Sequence, residues 1–241
     1  MNKVITDAHN FFKTAGFDYA ICGGFALDIF VGKELRTHGD FDIMIFNEDK
    51  QRAVQFMQNN GWPVYGRFMD FDIPATLTLF YKITNITDPF WNECINMWSV
   101  KPGGKPEMRK INRIQGDVYS YEKPVGKWDV QNFEFIEIEV DTREGNQYVV
   151  KNMPKITRTL DKAILYRDGI PYLAPEIVLF YKSDKFSSEN LNVRPKTEKD
   201  YKTIMPLLST ESKKWLLDAI DTAYPDGHHW LDWLFHSTDI I

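Results

Sequence analysis

The sequence predicts an α/β fold, in which an N-terminal part that contains a sheet is followed by a helical C-terminal part. Three observations support this prediction. Residues 17–60 alternate strand-like and helix-like segments around a Gly-Gly turn. Residues 133–140 (FEFIEIEV) alternate apolar and acidic side chains, as a strand with one buried face does. From Pro175 onward the apolar residues recur at helical spacing instead.

The N-terminal elements follow one another closely. MNKVITDAHNFFKTAG carries apolar residues at helical spacing, and FDYAIC (17–22) then predicts a short strand that ends at the glycine pair. FALDIFV (25–31) predicts a helix, which Gly32 ends. A second strand over 41–46 and an amphipathic helix over 48–60 complete this segment, so the chain begins with a compact α/β order.

The signal weakens in the middle of the chain and returns in its last third. ATLTLFYKI (75–83) predicts a strand, whereas residues 107–127 show no clear period. After the strand at 133–140, DTREGNQ predicts a turn into a further strand, YVV. Pro175 stands where a helix starts, and further apolar stripes follow it. Helices therefore dominate the end of the chain, with a soft boundary near residues 152–172.

The composition indicates a globular protein without a generally basic surface. The chain has 241 residues, of which 43% are hydrophobic and 26% charged, with a net charge of −5 and a pI near 5.6. Binding of nucleic acid through a generally basic surface is therefore disfavoured, although binding through a local basic groove stays an alternative. The two cysteines have no metal-site or disulfide spacing, and no segment resembles a signal peptide or a membrane span. We expect a soluble, cytoplasmic protein that does not bind a membrane.

Two aspartates beside an apolar strand, Asp40 and Asp42, raise a question of charge. Their period-two spacing places both carboxylates on one face, where they repel each other unless a cation lies between them. Earlier in the chain Gly23 and Gly24 end a strand and open a helix, so that backbone N–H groups can approach phosphate oxygens. Carboxylates beside a phosphate site are typical of Mg²⁺ that bridges substrate phosphates. The sequence thus predicts a site that handles a nucleoside triphosphate.

Taken separately, the glycine pair would more often be a simple turn, and the two aspartates a solvated strand end. Together with the residues between them they form an ordered run of Gly23, Gly24, Asp28, Arg36, His38, Asp40 and Asp42. This run resembles the nucleotidyltransferase motif of the DNA polymerase beta superfamily, and more closely that of the bacterial aminoglycoside and lincosamide nucleotidyltransferases. YLAPEIVLFYK (172–182) and RPKTEKDYKTIMPLL (194–208) resemble the helical second domain of such proteins.

The resemblance implies an organisation for the whole chain. A small mixed-sheet nucleotidyltransferase domain would cover residues 1–155, and a helical domain would cover residues 156–241. The site would lie in the cleft between the two domains.

The resemblance also implies three catalytic carboxylates. Asp40 and Asp42 would bind two Mg²⁺ ions, and a carboxylate on a neighbouring strand would complete the site as a ligand or as a base. Glu137, in the middle of the acidic strand, is the first choice for this third carboxylate, and Glu139 is the second. A merely solvated acidic face on that strand is the alternative.

Further residues would bind the nucleotide. In relatives a glycine pair seats the phosphates and cations balance their charge, which here assigns Gly23, Gly24, Arg36, His38 and Lys182. Arg194 and Lys196 are further candidates for the same phosphates. Asp28 would fix the loop before the aspartates through Arg36 or His38, and His38 could equally be a structural hydrogen-bonding residue or a catalytic acid.

The predicted reaction is the Mg²⁺-dependent transfer of a nucleoside monophosphate to a hydroxyl group of a small molecule. The first choice is AMP from ATP, and an aminoglycoside or a lincosamide as the acceptor. Two alternatives stay open: a toxin-like nucleotidyltransferase that modifies tRNA or protein, and a non-catalytic nucleotide-binding module. The expected partners are ATP or another nucleoside triphosphate and a hydroxyl-bearing acceptor, with nucleic acid disfavoured.

Three features of the sequence fall outside this motif. Adjacent residues on a helix point apart, so His228 and His229 predict packing of the tail in preference to a metal site. WLDWLF (230–235) predicts a hydrophobic seal on the helical part, with a homodimer contact as the alternative. The tryptophans of the middle region would either belong to the core or line an acceptor pocket; they are Trp91, Trp98 and Trp128.

Overall fold

The computed structural model describes residues 2–68, 79–84, 91, 94, 96–110, 121–125, 132–183 and 195–231. Its strands are β1 (Tyr19–Ile21), β2 (Asp42–Phe46), β3 (Val64–Phe68), β4 (Leu79–Lys82), β5 (Asn96–Val100), β6 (Glu107–Lys110), β7 (Tyr121–Val125), β8 (Phe135–Glu144), β9 (Gln147–Val149), β10 (Thr157–Thr159), β11 (Ile164–Arg167) and β12 (Ile170–Leu173). Its helices are α1 (Lys3–Phe12), α2 (Gly23–Val31), α3 (Lys50–Asn59), α4 (Leu160–Ala163), α5 (Pro175–Lys182), α6 (Pro195–Ile204) and α7 (Thr210–Ala223). Short 3₁₀ helices follow β2 and α6, at Asn47–Asp49 and Met205–Leu207. Within this part of the chain, no helix is long and apolar enough to cross a membrane.

A mixed sheet organises these elements. Its strands lie in the order β11-β12-β1-β2-β8-β5-β3-β4-β7-β6, while β9 pairs with β8 and β10 with β9 beside this path. β1 and β2 are antiparallel, β2 and β8 are parallel, and β8 and β5 are antiparallel. The predicted fold class, a mixed-sheet α/β fold with C-terminal helices, is confirmed.

Apolar side chains place β2 inside the sheet. Its residues from Ile43 to Phe46 are all buried, as expected for an apolar strand with neighbours on both sides. The predicted stripe of α1 is buried as well, and the ring of Phe12 lies 5.2 Å from that of Tyr19 in β1. Asp42 is thus the charged first residue of an otherwise buried strand, which directs attention to that end of the sheet.

The structure differs from the sequence prediction in the extent of several elements. α2 begins at Gly23, so the glycine pair forms its first turn. β8 continues to Glu144, because its last residues pair with β9 in a hairpin. β6 and β7 lie in the stretch without a clear period, where two short strands pair with each other. Of the strand predicted over 75–83, residues 79–82 form β4, and residues 75–78 lie outside the described part of the chain.

The stretch around the predicted boundary adds strands to the sheet. β12 pairs parallel with β1, with Tyr172 opposite Ile21, and β11 pairs antiparallel with β12. The chain then enters α5, whose first residue is Pro175, as predicted. The division into two domains at residue 155 stays a prediction.

The tryptophans of the middle region take different positions. Trp98 lies between Phe80 and Phe135, with ring centroids 4.5 and 4.7 Å apart respectively, which fits the core alternative. Trp91 is partly buried, and its ring centroid lies 4.5 Å from Lys50 Nζ. Trp128 lies outside the described residues. An acceptor pocket formed by these residues stays a prediction.

A buried ion pair connects β10 with α5 and α7. Arg158 Nη2 lies 2.5 Å from Glu176 Oε1, and the Ser212 hydroxyl donates to the same oxygen at 2.9 Å. Trp215 of α7 donates its indole N–H to the Thr157 carbonyl at 2.8 Å. The side chains of the ion pair are only 7% and 2% exposed, so each charge depends on the other for compensation.

Glu176→Gln is expected to lower the free energy of unfolding by about 3 kcal/mol, because Arg158 then keeps a buried charge without its counter-charge. Urea denaturation measures the change. The exposed pair of Lys162 and Glu211 offers a control, since Glu211→Gln should leave the urea midpoint unchanged. Equal midpoints for the two variants would contradict the importance of the buried pair.

Candidate active site

Three carboxyl groups meet where β2 and β8 run side by side. Asp40, Asp42 and Glu137 each offer one oxygen atom, and these atoms lie within 4.8 Å of one another. The parallel pairing of the two strands places Asp42 directly opposite Glu137, so their side chains share a face. The structure therefore brings together the three residues that the sequence proposed as catalytic.

These carboxyl groups are close enough to disturb one another's ionisation. Burial raises the pKa of Asp42 well above its usual range, and the charges of Asp40, Glu137 and Glu139 raise it further. Burial and then the charge of Glu139 raise the pKa of Glu137 to about 7, against an opposing hydrogen bond from Asn96. A divalent cation would compensate this crowded charge, and carboxylate oxygens are the ligands that Mg²⁺ prefers. The donor set therefore fits a magnesium site.

The two candidates for the third carboxylate have different surroundings. Asn96 of β5 donates from Nδ2 to Glu137 Oε1 and to Glu139 Oε1, at 2.6 Å each. Glu139 also pairs with Lys151, whose Nζ lies 3.2 Å from its second oxygen. Glu139 is thus partly neutralised by a lysine, whereas Glu137 belongs to the acidic cluster. The geometry favours Glu137 as the third metal ligand, and its catalytic role stays a prediction.

The Gly-Gly turn packs directly on the aspartate strand. Cys22 donates its backbone N–H to the Asp42 carbonyl at 2.9 Å, which holds the start of α2 against β2. Gly23 has a φ of +60°, and a Cβ there would overlap with Asp42 Oδ2. A Cβ at Gly24 would overlap with His38 Nδ1 and would lie 3.2 Å from Arg36 Nη2. Both glycines are therefore required by close approach of other groups.

Gly23→Ala is expected to weaken Mn²⁺ binding by about tenfold or more, because the new methyl group must displace the Asp42 carboxylate. Isothermal titration with Mn²⁺ measures the affinity. Gly16→Ala is a matched control: Gly16 also has a positive φ, +74°, but nothing lies within 4 Å of its Cβ position. Both variants should lose stability, and only Gly23→Ala should lose metal affinity. A similar affinity for both would show that the close approach is unimportant.

Asp28 and His38 form a buried pair beneath this turn. His38 Nε2 lies 2.7 Å from Asp28 Oδ2, and the Leu35 backbone N–H donates to Asp28 Oδ1 at 3.0 Å. Asp28 therefore contacts the loop before the aspartates through His38 and the Leu35 backbone. Arg36, the other predicted partner, binds Asp200 instead. His38 Nδ1 is buried beside Gly24 and has no hydrogen-bond partner within the described residues.

The two cations assigned to the nucleotide meet at one carboxylate, Asp200 of α6. Arg36 donates from Nε and Nη2 to the two oxygens of Asp200, at 3.2 Å each. Lys182, the last residue of α5, places its Nζ 3.1 Å from Asp200 Oδ2. Burial acts to raise the pKa of Asp200, but the hydrogen bond from Arg36 and the charge of Lys182 hold it below its usual value.

Sequence reasoning missed this contact of Asp200. One signal was available, because Thr197, Asp200 and Ile204 recur at helical spacing, which places an acidic residue on a buried face. Of the other phosphate candidates, Lys196 is exposed in the first turn of α6, and Arg194 lies outside the described residues.

The end of the described chain packs on α6. Glu198 Oε1 lies 2.6 Å from His229 Nε2 and accepts the indole N–H of Trp230 at 2.7 Å. The ring of Trp230 stacks on Tyr201 at 4.1 Å. These contacts fit the predicted packing of the tail. Residues 232–235 lie outside the described part, and a homodimer contact stays a prediction.

Known proteins share this architecture. Residues 4–69, which include the glycine turn and both aspartates, match a family model described as aminoglycoside-2''-adenylyltransferase. The crystal structure of ANT(2'')-Ia in complex with adenylyl-2''-tobramycin is 12% identical in sequence and has a TM-score of 0.50. The alignment covers 92% of this chain and 98% of that one.

A second solved structure is the lincosamide antibiotic adenylyltransferase LnuA with lincomycin bound. It is 13% identical with a TM-score of 0.47, over 86% of this chain and 98% of that one. No curated protein sequence matches the chain. The family model and the likeness to ANT(2'')-Ia show that the chain has a nucleotidyltransferase fold.

Proposed function

We propose that this protein, which has a nucleotidyltransferase fold, transfers a nucleoside monophosphate to a hydroxyl group in a Mg²⁺-dependent reaction. AMP from ATP is the proposed group. One observation carries the proposal: Asp40, Asp42 and Glu137 lie within 4.8 Å of one another, at the turn where Gly23 and Gly24 open a helix. A metal-binding carboxylate cluster beside a helix N-terminus is suited to phosphoryl chemistry.

Each carboxylate would have a defined part in the reaction. Asp40 and Asp42 would hold two Mg²⁺ ions, which when bound supply Lewis-acid stabilisation of charge on the phosphate oxygens. The acceptor oxygen would form a bond to the α-phosphorus, while the bond from that phosphorus to the bridging oxygen breaks and pyrophosphate leaves. Glu137, whose pKa is about 7, is suited either to complete the metal site or to take the proton of the acceptor hydroxyl.

The residues around the glycine turn would bind and orient the triphosphate. Gly23 and Gly24 lie in the first turn of α2, where backbone N–H groups have no partner within the helix and would bind phosphate oxygens. Arg36 and Lys182 would add positive charge next to this turn. The buried Nδ1 of His38, beside Gly24, would meet the bound nucleotide or an ordered water.

For the acceptor we propose a small hydroxyl-bearing molecule of the aminoglycoside or lincosamide class. The matched family model is named for an aminoglycoside reaction, and ANT(2'')-Ia was crystallised with an adenylylated aminoglycoside. The net charge of −5 suits a cationic acceptor better than a polyanion such as tRNA.

A labelled-nucleotide assay tests the proposal. Purified protein is incubated with Mg²⁺ and ATP labelled at either the α- or the γ-phosphate, against aminoglycosides, lincosamides, tRNA and protein acceptors. Transfer of label to a small molecule from α-labelled ATP alone, with release of pyrophosphate, is the expected result. Transfer to tRNA or protein would replace the proposed acceptor by the toxin-like alternative. Mg²⁺-dependent ATP binding without turnover on any acceptor would favour a non-catalytic module.

A further inference from the structure

Asp200 joins three parts of the chain at the proposed nucleotide site. Arg36 belongs to the loop between α2 and β2, Lys182 ends α5, and Asp200 lies in α6. The carboxylate is 3% exposed, and each of the two cations is 17% exposed. A buried anion therefore holds two cations that are themselves partly open.

The held cations are next to the glycine turn. Arg36 Nη2 lies 3.2 Å from the position that a Cβ at Gly24 would occupy. Lys182 Nζ lies 3.1 Å from Asp200 Oδ2, the same oxygen from which Arg36 Nη2 lies 3.2 Å. The two cations thus lie next to each other, with Arg36 beside the N-terminus of α2.

Both cations retain hydrogen-bond donors after binding Asp200. A guanidinium has five N–H groups and an ammonium has three. Arg36 uses Nε and Nη2 on Asp200 and Nη1 on the Thr37 carbonyl, so one N–H on each terminal nitrogen has no partner within the described residues. Lys182 makes its ion pair with the same carboxylate and has further donors. Arg36, Lys182 and Asp200 together therefore carry a net charge of +1, and the two cations have several donors left for an anion.

We propose that Asp200 is a positioning residue that holds Arg36 and Lys182 in the orientation in which both bind the triphosphate. This inference rests on the proposed function. Long cationic side chains lose conformational entropy when they bind a ligand, and an anchor that orders them beforehand removes that cost from binding. Asp200 would act only through the two cations and not on the nucleotide itself.

A positioning role and a purely electrostatic role of Asp200 predict opposite changes in triphosphate affinity for Asp200→Asn. Asp200→Asn raises the net positive charge of the site, so a simple electrostatic effect would tighten the binding of a polyanion. Loss of positioning would instead weaken it, although the site becomes more positive. The direction of the change therefore separates the two accounts.

The experiment measures binding of the Mg²⁺ complex of α,β-methylene ATP by isothermal titration, which needs no acceptor. Asp200→Asn is expected to raise the dissociation constant by about tenfold or more, the effect of losing a charge-assisted contact. AMP, which lacks the β- and γ-phosphates, should show a much smaller change. Unchanged or tighter triphosphate binding would overturn the proposal.

Glu176→Gln is the matched control, because it neutralises an equally buried carboxylate whose partner, Arg158, lies outside the proposed nucleotide site. It should leave nucleotide affinity unchanged. Asp200→Glu is a second variant that keeps the buried charge but moves it by one methylene group. It should also weaken triphosphate binding, and wild-type affinity in this variant would contradict a positioning role.

A double-mutant cycle with Lys182→Met tests whether Asp200 acts through the cations. Asp200→Asn should weaken triphosphate binding less in the Lys182→Met background than in the wild type, because one of the two cations that Asp200 binds is already absent. Fully additive losses would contradict the proposal. A wild-type protein that binds no Mg²⁺-nucleotide would overturn the proposed function itself. Wild-type binding with an unaffected Asp200→Asn variant would overturn only the role of Asp200.

Discussion

Asp42→Asn is expected to reduce Mg²⁺-dependent nucleotide transfer by about a thousandfold or more, to the background of the assay. Asp42 belongs to the acidic cluster, opposite Glu137 on the neighbouring strand and two residues from Asp40. A neutral amide oxygen is a much weaker ligand for Mg²⁺ than a carboxylate. The variant would therefore lose the metal ion on which the reaction depends.

The same substitution should not destabilise the metal-free protein. Because burial and neighbouring charges raise the pKa of Asp42, its ionised form costs folding free energy at neutral pH. The amide removes that cost, so the melting temperature in EDTA should stay the same or rise. Loss of activity together with an unchanged fold would assign the effect to metal binding.

Asp49→Asn is the control for this experiment. Asp49, in the 3₁₀ helix after β2, is more completely buried than Asp42, but it pairs with Arg52 of α3 and does not belong to the acidic cluster. Its substitution should leave transfer unchanged while costing some stability. Full activity in Asp42→Asn would contradict the proposed mechanism, whatever acceptor the enzyme uses.

The central part of the site could be predicted because its geometry is local. β1, the glycine turn, α2 and β2 follow one another directly, and β1 pairs with β2 in an antiparallel arrangement. This connection brings the start of β2 back beside the end of β1, so Gly23 lies against the Asp42 side chain. Residue spacing within one such unit is enough to predict which groups meet.

Contacts between distant segments could not be predicted in the same way. The acidic alternation of β8 indicated that Glu137 and Glu139 share a face, but only the register of β8 against β2 places Glu137 opposite Asp42. Asn96 lies on β5, in a region without a clear sequence signal, and reaches both glutamates. Asp200 meets its cations across three separate elements, so no spacing in the sequence revealed the contact.

Short strands were missed for a related reason. β6, β7, β10, β11 and β12 have three to five residues each, too few for an alternating pattern to be distinguished from loop sequence. Their stability comes from pairing with neighbours, as when β12 pairs with β1. The sheet is therefore larger than the sequence indicated, whereas β1, β2, β8 and the helices after Pro175 were predicted.

Glu137→Gln is expected to reduce nucleotide transfer by about a hundredfold or more, whereas Glu139→Gln should have a much smaller effect. The reason lies in their neighbours: Glu137 shares the cluster with Asp40 and Asp42, while Glu139 is paired with Lys151. Both glutamates accept a hydrogen bond from Asn96, so the two variants disturb that residue equally. Equal losses of activity would remove the distinction between them.

The pH dependence of metal binding provides an independent measurement. The pKa of Glu137 in the folded, metal-free protein is about 7, above its ordinary value of 4.5. Ionisation of this group therefore opposes folding, and the stability of the metal-free protein should fall as the pH rises from about 4.5 through 7.

Metal binding requires the ionised form, so Mn²⁺ affinity should rise over the same range. Glu137→Gln should remove the contribution of Glu137 to both changes, whereas Glu139→Gln should keep it. A wild-type Mn²⁺ affinity that is independent of pH between 5 and 8 would show that Glu137 is not a metal ligand, because a bound metal ion must compete with the proton for its carboxylate.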